Sequence, residues 1–239
     1  MNVLAILLVL GLAMMVVERI LPGRRLREVQ RWWLRAIPLN AIQAGCVYIA
    51  GVGWEKWMSR NQPWTLQGDT AQAALLGYFV MTFVYYWWHR WRHASNFLWR
   101  RLHQMHHSPQ RIEIMTSFYK HPLEILANGI LTSTVLYLIV GLTPEAASGA
   151  VLLSGIAEFF YHWNIATPRR LGYFIQRPES HCVHHQEGLH SFNYSDLPLW
   201  DMLFGTYRNP EKWSAQCGFG ANGENRFFDL LRGKPVSSY

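Results

Sequence analysis

Five apolar stretches, each about the length needed to cross a lipid bilayer, constrain the fold of this chain more than any other feature. A spanning helix needs about 20 mostly apolar residues. The five predicted spans are residues 2–17, 37–54, 71–88, 123–142 and 146–163. Only Thr143, Pro144 and Glu145 separate the last two, which predicts a helical hairpin. The sequence therefore predicts an all-α integral membrane bundle of about four to five spans.

The charge of the first loop predicts the orientation of these spans. Six arginines lie between residues 19 and 35, with Glu28 as the one acidic residue among them. By the positive-inside rule this loop is cytoplasmic. Alternating the spans from there puts residues 89–122 and the chain after residue 163 on the same side, as a cytoplasmic helical cap. We expect a bacterial inner membrane, with the endoplasmic reticulum as the alternative.

Eight of the eleven histidines fall into three short motifs, one HxxxH and two HxxHH, and each motif lies just beyond a predicted span. Residues at positions i, i+3 and i+4 share one helix face, so each motif can aim its imidazoles at one point. Eight imidazoles are too many for one tetrahedral zinc ion, which predicts a two-metal centre at the membrane surface. The eight residues are His89, His93, His103, His106, His107, His181, His184 and His185.

Composition excludes several other classes of site. The three cysteines have no CxxC spacing, so neither a disulfide framework nor a thiolate zinc site is expected, and Cys182 is interpreted as helix packing. Half of the residues are hydrophobic and the net charge is +7. This charge suits an anionic membrane face, and no nucleic-acid-binding motif accompanies it.

The order HxxxH, HxxHH, HxxHH, with a helical hairpin before the third motif, resembles the fatty acid hydroxylase/sterol desaturase superfamily. Three further segments are similar to that family: His-Pro-Leu-Glu at 121–124, His-Trp-Asn-Ile at 162–165, and the stretch 192–210 that contains Trp-Asp and Phe-Gly-Thr. The likeness covers residues 71–210. We therefore divide the chain into membrane spans with a basic loop (1–70), a catalytic domain (71–210) and a C-terminal tail (211–239).

The resemblance implies a non-haem di-iron enzyme that uses dioxygen to hydroxylate or desaturate a C–H bond of a lipid. By the family pattern the eight motif histidines are iron ligands. His162 is the expected ninth ligand, with a hydrogen bond to a carbonyl as its alternative role. His121 is a further candidate, although it precedes a proline and can instead orient that turn. His190 is expected to lie behind the ligands or at the surface.

Two other polar residues are candidates for supporting the metals. Glu158 lies one turn before His162, and a carboxylate near a membrane is costly unless it is paired or bound to metal. It can ligate a metal, orient a ligand imidazole or pair with an arginine such as Arg92; we favour the orienting role. A weaker hypothesis is that Asn164 approaches a metal through water. The aromatic residues near the motifs can line a lipid cleft or form an interfacial belt: Trp87, Trp88, Trp91, Trp99, Phe118 and Tyr119.

The electrons must come from a separate reductase or carrier protein, because the chain has neither a dinucleotide-binding motif nor cysteines spaced for an iron–sulfur cluster. A basic face can dock an acidic carrier or anchor the protein to the membrane. Its arginines are Arg100, Arg101, Arg111, Arg169, Arg170 and Arg177.

Two other functions are compatible with the histidines. One is a histidine-rich membrane protein that binds or transports metals without oxygenase activity, although transport sites usually lie near the bilayer midplane. The other is an interfacial zinc hydrolase, which would need a motif such as HExxH that this chain lacks. The sequence leaves open the lipid, hydroxylation versus desaturation, and the oligomeric state.

Overall fold

The chain folds entirely into helices and connecting segments in the computed structural model, which describes residues 3–213 and 216–237. No strand occurs in these residues, where one isolated bridge joins Gln186 to Cys217. The helices are α1 (Val3–Ile20), α2 (Trp32–Ala50), α3 (Lys56–Arg60), α4 (Thr70–Ala94), α5 (Asn96–Leu98), α6 (Gln104–His107), α7 (Pro122–Ser133), α8 (Pro144–His162), α9 (Pro178–His184), α10 (Pro198–Leu203), α11 (Gly220–Gly223) and α12 (Phe227–Leu231). The all-α prediction is confirmed.

Wider or tighter helical turns extend several of these helices. π-Helical turns at Gly51–Glu55, Trp99–His103 and Thr134–Ile139 join α2 to α3, join α5 to α6 and prolong α7. Short 3₁₀ turns occupy Ile114–Thr116 and Arg169–Tyr173.

Three helical segments of the described chain are long and apolar enough to cross a bilayer: Val3–Ile20, Trp32–Arg60 and Pro122–Ile139. They correspond to the predicted first, second and fourth spans, although the second begins earlier and continues through Pro38. The predicted third and fifth spans are also helices, α4 and α8. The protein is therefore an integral membrane protein, and the number of its spans stays a prediction.

Local sequence signals define where the long helices begin. Asp69 caps α4 by accepting a hydrogen bond from the backbone N–H of Gln72 at 2.9 Å. Thr143 caps α8 by accepting from the N–H of Ala146, and Pro144 takes the first helical position, where no N–H is needed. The segment Thr143–Glu145, which predicted the hairpin, thus starts α8, the second helix of that hairpin.

Helices α4 and α8 form the centre of the bundle, where they pack along each other. Gly149 of α8 lies so close to α4 that a Cβ atom added to it would be 2.9 Å from Cβ of Ala74. Helix α1 packs on the outer side of α8, while α7 packs on α2. The two arms of the predicted hairpin therefore rest mainly on different partners.

The segments that follow α4 and α8 fold together beyond the helix ends. They bring α6 and α9, which carry the two HxxHH motifs, next to the C-terminal ends of α4 and α8. The C-terminal helix α12 closes this region, because Leu230 packs with Met105, Tyr119 and Trp32 in one buried cluster.

The close approach of α4 and α8 gives a test of the central packing. We expect Gly149→Ala to lower the free energy of unfolding by about 1–3 kcal/mol, because the nearest atom is a Cβ that moves only with its backbone. Gly45→Ala in α2 is the matched control: its added Cβ meets nothing within 4 Å, so we expect a gain of about 0.5–1 kcal/mol. Denaturation in detergent measures both. Equal stabilities would contradict this account of the packing.

Candidate metal centre

Nine histidines meet in two adjacent clusters at the C-terminal ends of α4 and α8. Within each cluster the potential ligand nitrogens all lie within 4.8 Å of one another. Cluster A, as we name it, contains five histidines: His89, His93, His103, His107 and His184. Cluster B contains four histidines: His106, His162, His181 and His185.

Each HxxHH motif is divided between the two clusters. His103 and His107 belong to cluster A, but His106 belongs to cluster B. The expectation that each motif aims at a single point is therefore wrong. Successive helical residues point about 100° apart around the axis, so neighbouring histidines diverge, whereas residues i and i+4 differ by only about 40°.

The third motif repeats this division with the clusters exchanged. His181 and His185 belong to cluster B, and His184 belongs to cluster A. The planes of His107 and His185 stack with ring centroids 4.2 Å apart, which places the two clusters side by side. Two short helices thus supply ligands to both clusters at once.

Hydrogen bonds at the Nδ1 atoms orient two of the cluster A imidazoles. His89 Nδ1 donates to the carbonyl oxygen of Tyr194 at 2.8 Å, so its Nε2 carries a lone pair. His103 Nδ1 lies 2.9 Å from the Glu124 carboxylate and 3.1 Å from the Arg92 guanidinium. The Nε2 atoms of the two rings lie only 2.9 Å apart, so both are aimed at one position.

Cluster B has similarly close spacings around His162, beside His181, whose Nδ1 accepts a hydrogen bond from the side-chain amide of Gln176 at 2.9 Å. His162 Nδ1 donates to the carbonyl oxygen of Glu158 at 2.8 Å, which leaves its Nε2 lone pair facing His181 Nε2 at 3.1 Å. His185 Nε2 lies 3.0 Å from His181 Nε2. Two metal–nitrogen bonds of about 2.1 Å at a right angle would place their nitrogens about 3.0 Å apart. The spacing fits a shared metal ion.

The Nε2 atom of His184 independently indicates that cluster A is suited to a metal ion. His184 Nδ1 donates to the carbonyl oxygen of Phe192 at 2.8 Å, whereas the buried Nε2 has no hydrogen-bond partner. A buried acceptor of this kind is costly unless something binds it. The residues of both clusters therefore fit metal ions as ligands.

Burial keeps these imidazoles neutral. It lowers the pKa of His184 to about 3, with the other ring nitrogens nearby adding repulsion between like charges. Burial likewise lowers the pKa well below the ordinary histidine value for His103, His106, His107, His181 and His185. Neutral imidazole is the form that binds metal, so no proton has to be displaced at neutral pH.

The structure places His121 outside both clusters, in the second of the two roles considered for it, that of orienting the turn before α7. Its Nδ1 accepts a hydrogen bond from the N–H of Leu123 at 3.1 Å, and its Nε2 donates to the carbonyl oxygen of Leu231 at 3.0 Å. His121 is therefore the N-terminal cap of α7 and ties that helix to the C-terminal segment.

Asn164 also faces away from the metals, contrary to the prediction of a water-mediated contact. Its side chain forms hydrogen bonds with the backbone N–H and the carbonyl oxygen of Arg24, at 3.2 and 2.9 Å. Asn164 therefore joins the end of α8 to the loop after α1.

Glu158 and His190 lie behind the clusters. The carboxylate of Glu158 accepts hydrogen bonds from Lys120 and Tyr161, each at 2.8 Å, and lies 3.4 Å from His162 Nδ1. Its cationic partner is thus Lys120 and not Arg92. His190 is buried, with its Nδ1 3.2 Å from His107 Nδ1.

Sequence reasoning missed the role of Glu124 and Arg92. These two side chains form a buried ion pair, and both contact His103 Nδ1. A buried carboxylate that accepts from a ligand imidazole makes that imidazole a stronger donor to metal. The signal was present, since Glu124 is the acidic residue of the segment 121–124.

The aromatic residues that were predicted to line a lipid cleft or form an interfacial belt are not among the residues that line the cavity beside the clusters. Trp99 packs against His93 and His107, and Tyr119 stacks near Trp32, far into the core. Trp91 is exposed. Cys182 packs with Ile112 and Cys217, as its interpretation as helix packing requires.

A cavity of about 60 Å³ adjoins both clusters. Four cluster histidines line this cavity: His89, His103, His106 and His181. The rest of its wall is mixed, with apolar, hydroxyl and charged groups: Met81, Thr82, Tyr85, Arg92, Lys120, Glu124, Asn128, Ser154, Glu158, Tyr161, Tyr194 and Asp196. This is the space in which a reacting group can meet both clusters.

Comparison with known proteins gives a family match over the same region. The fatty acid hydroxylase family model matches residues 74–206, which is more than half of the chain and includes all nine cluster histidines. The domain boundaries themselves stay a prediction. No solved structure matches the chain.

Three relatives illustrate the range of the match. The sphingolipid C4-hydroxylase of Schizosaccharomyces pombe is 29% identical over 66% of this chain and 59% of the relative. Human alkylglycerol monooxygenase is 29% identical over 64% of this chain and 34% of the relative. A very-long-chain aldehyde decarbonylase of Oryza sativa is 28% identical over 56% and 53%. The chain thus spans less than two thirds of each relative's length.

The different positions of His162 and His121 give a direct test of the ligand assignment. We expect His162→Ala to weaken metal binding at cluster B by about 10–100-fold or more, because it removes a donor nitrogen. His121→Ala should leave the metal content unchanged and cost about 1 kcal/mol of stability as a lost helix cap. Metal analysis of purified variants measures the first effect and thermal denaturation the second. Metal loss in His121→Ala would overturn the assignment.

Removing the charge of Glu124 should weaken metal binding at one cluster and not at the other, because Glu124 contacts His103 of cluster A. Glu124→Gln keeps the shape of the side chain but removes the charge that supports His103. We expect affinity for the metal of cluster A to fall about 10–100-fold, while cluster B is unaffected. Anaerobic titration with Fe(II) should show one tight and one weakened site. Equal weakening of both sites would contradict this role.

Proposed function

Because this chain belongs to the fatty acid hydroxylase family, we propose that it is a membrane-bound di-iron oxygenase that hydroxylates or desaturates a C–H bond of a lipid. The observation that carries the proposal is the convergence of buried histidine nitrogens in two adjacent sets, five and four, with the nitrogens of each set within 4.8 Å of one another. Such neutral imidazoles suit a metal cation, and imidazole suits iron. The relatives named as a hydroxylase and a monooxygenase support the reaction class.

The nine cluster histidines would hold two iron ions. Five donors come from cluster A and four from cluster B. When bound, two ferrous ions supply the redox chemistry with which dioxygen attacks an unactivated C–H bond. In hydroxylation one oxygen atom enters the C–H bond, and the other leaves as water with two electrons and two protons from an external donor. In desaturation both oxygen atoms leave as water, with two hydrogen atoms from the lipid and two electrons and two protons from the external donor.

The residues around the clusters hold the imidazoles rigidly. Three backbone carbonyls, those of Glu158, Phe192 and Tyr194, accept the Nδ1 protons of ligand histidines. The carboxylate of Asp201 in turn accepts hydrogen bonds from the backbone N–H groups of Tyr194 and Ser195. Because these three rings are oriented before metal binds, they need little reorganisation during turnover.

This rigidity favours the enzyme over the alternative of a metal transporter. A transit site must release its metal, whereas here up to five imidazoles converge on one position and all nine are buried or nearly so. The cavity beside the clusters also provides space for a reacting group that a storage site would not need.

The substrate would be a lipid, reached from the bilayer through the bundle. Met81, Thr82 and Tyr85 of α4 and Ser154 of α8 line the membrane side of the cavity. We place the clusters on the cytoplasmic side of a bacterial inner membrane, on the basis of the arginine-rich first loop.

A separate reductase or carrier would deliver the electrons. The basic face proposed for docking is smaller than the sequence indicated. Arg177 is buried, where it donates to Asn209 and Thr167, and Arg111 is engaged with Glu113. Arg100, Arg101 and Arg170 remain exposed and suit an acidic carrier.

Isotope labelling tests the proposed reaction. Iron-loaded protein supplied with lipid, a reductant and ¹⁸O₂ should yield a lipid with one ¹⁸O atom, or one that has lost two hydrogens. We expect His107→Ala and His185→Ala, one in each cluster, to reduce turnover about 100-fold or more. His121→Asn, which can still cap α7, should remain active. Turnover that survives loss of either cluster would contradict a two-metal site.

A further inference from the structure

Asp196 is the carboxylate of the cavity wall that forms no ion pair among the described residues, since Lys120, which is near enough to attract it, is paired with Glu158. The wall contains three carboxylates, and the other two are paired: Glu124 with Arg92, and Glu158 with Lys120. The Tyr161 hydroxyl lies beside both Asp196 and Glu158, but its single proton satisfies only one of them. Asp196 therefore has capacity left for a donor that arrives from outside.

The backbone holds Asp196 at a fixed position relative to cluster A. Its carbonyl oxygen accepts a hydrogen bond from the N–H of Gln176 at 2.9 Å. The two preceding residues, Tyr194 and Ser195, donate their N–H groups to Asp201 at 2.8 and 3.0 Å. Tyr194 also orients His89 through its carbonyl oxygen. One short segment thus positions a ligand imidazole and the free carboxylate together.

The surroundings of Asp196 disfavour an unpaired charge. Burial and the nearby Glu158 carboxylate raise the pKa of Asp196 to about 7. A carboxylate in such a place is stabilised when a ligand brings hydrogen-bond donors or a positive charge. An ionised fatty acid brings neither, since its carboxylate offers only acceptors and a second negative charge.

The size of the cavity limits how far the bound group is from the metals. A water-sized position occupies roughly 10–15 Å³ of such a volume, so about 60 Å³ holds four to six of them. The same cavity touches Asp196 and histidines of both clusters. A group bound to Asp196 is therefore only a few bonds from a carbon at the clusters.

We propose that Asp196 binds the polar head of the lipid substrate through its hydroxyl or ammonium donors, and that the oxidised C–H bond lies within a few bonds of that head. This inference rests on the proposed function and specifies its substrate class. It selects lipids with a donor-bearing head, such as long-chain amino alcohols and glycerol ethers. It excludes free fatty acids and oxidation far along the acyl chain.

Binding under anaerobic conditions tests the assignment without turnover. Iron-loaded protein in detergent is titrated calorimetrically with sphinganine, 1-O-octadecylglycerol and stearate. We expect the first two to bind about tenfold more tightly than stearate, since Asp196 accepts hydrogen bonds from their heads but repels the stearate carboxylate.

Substitution of Asp196 should remove this preference. Asp196→Asn keeps the shape but removes the charge, so we expect sphinganine affinity to fall about tenfold, the glycerol ether less, and stearate not at all. Asp196→Glu, which keeps the charge, should retain part of the preference. The matched control is Asp69→Asn at the exposed cap of α4, where asparagine also caps well and all three affinities should be unchanged. Melting temperatures establish that each variant is folded.

Two results would overturn the inference: stearate binding as tightly as sphinganine, or a preference that survives in folded Asp196→Asn. Admitting dioxygen and a reductant then separates it from the proposed function. If the preference holds but no lipid is oxidised, the oxygenase proposal fails. If a lipid is oxidised at a carbon far from its head, as located by mass spectrometry, the present inference fails and the oxygenase proposal stands.

Discussion

The angle of about 100° between successive residues of a helix is the constraint on which the metal centre depends. It sends the adjacent histidines 106 and 107 into different clusters, and it does the same for 184 and 185. Two short helices, α6 and α9, can then lie across both clusters and hold them side by side. The HxxHH spacing therefore lets one helix contribute histidines to two sites. The motif of α9 does the same with the clusters exchanged, so each cluster receives histidines from both motifs.

The rest of the fold keeps these helices in place. Helices α4 and α8 bring His89, His93 and His162 to one end of the bundle. At its centre these two helices pack closely, with Gly149 against Ala74. Backbone carbonyls then fix the ring orientations, and the segment from Phe192 to Asp196 supplies two of them before it reaches the cavity. Asp201 holds that segment through two N–H groups. Membrane helices, metal ligands and cavity wall are thus one connected framework.

Much of this was predictable because it depends on local spacing. Apolar run lengths predict the long helices, and Pro144 after Thr143 marks the start of α8. The grouping of histidines by chain segment failed, because proximity in sequence does not say which side of a helix faces which metal. The roles of His121 and Asn164 could not be chosen from the sequence for a related reason: their partners, Leu231 and Arg24, are distant in the chain. The unpaired state of Asp196 likewise depends on where Arg92 and Lys120 find their own partners.

The central claim is that each cluster holds one metal ion. Anomalous X-ray scattering at the iron edge from crystals of the Fe(II)-loaded protein tests it most directly. The account predicts two iron peaks, one within the five histidines of cluster A and one within the four of cluster B. A single peak, or peaks outside the two histidine clusters, would contradict it.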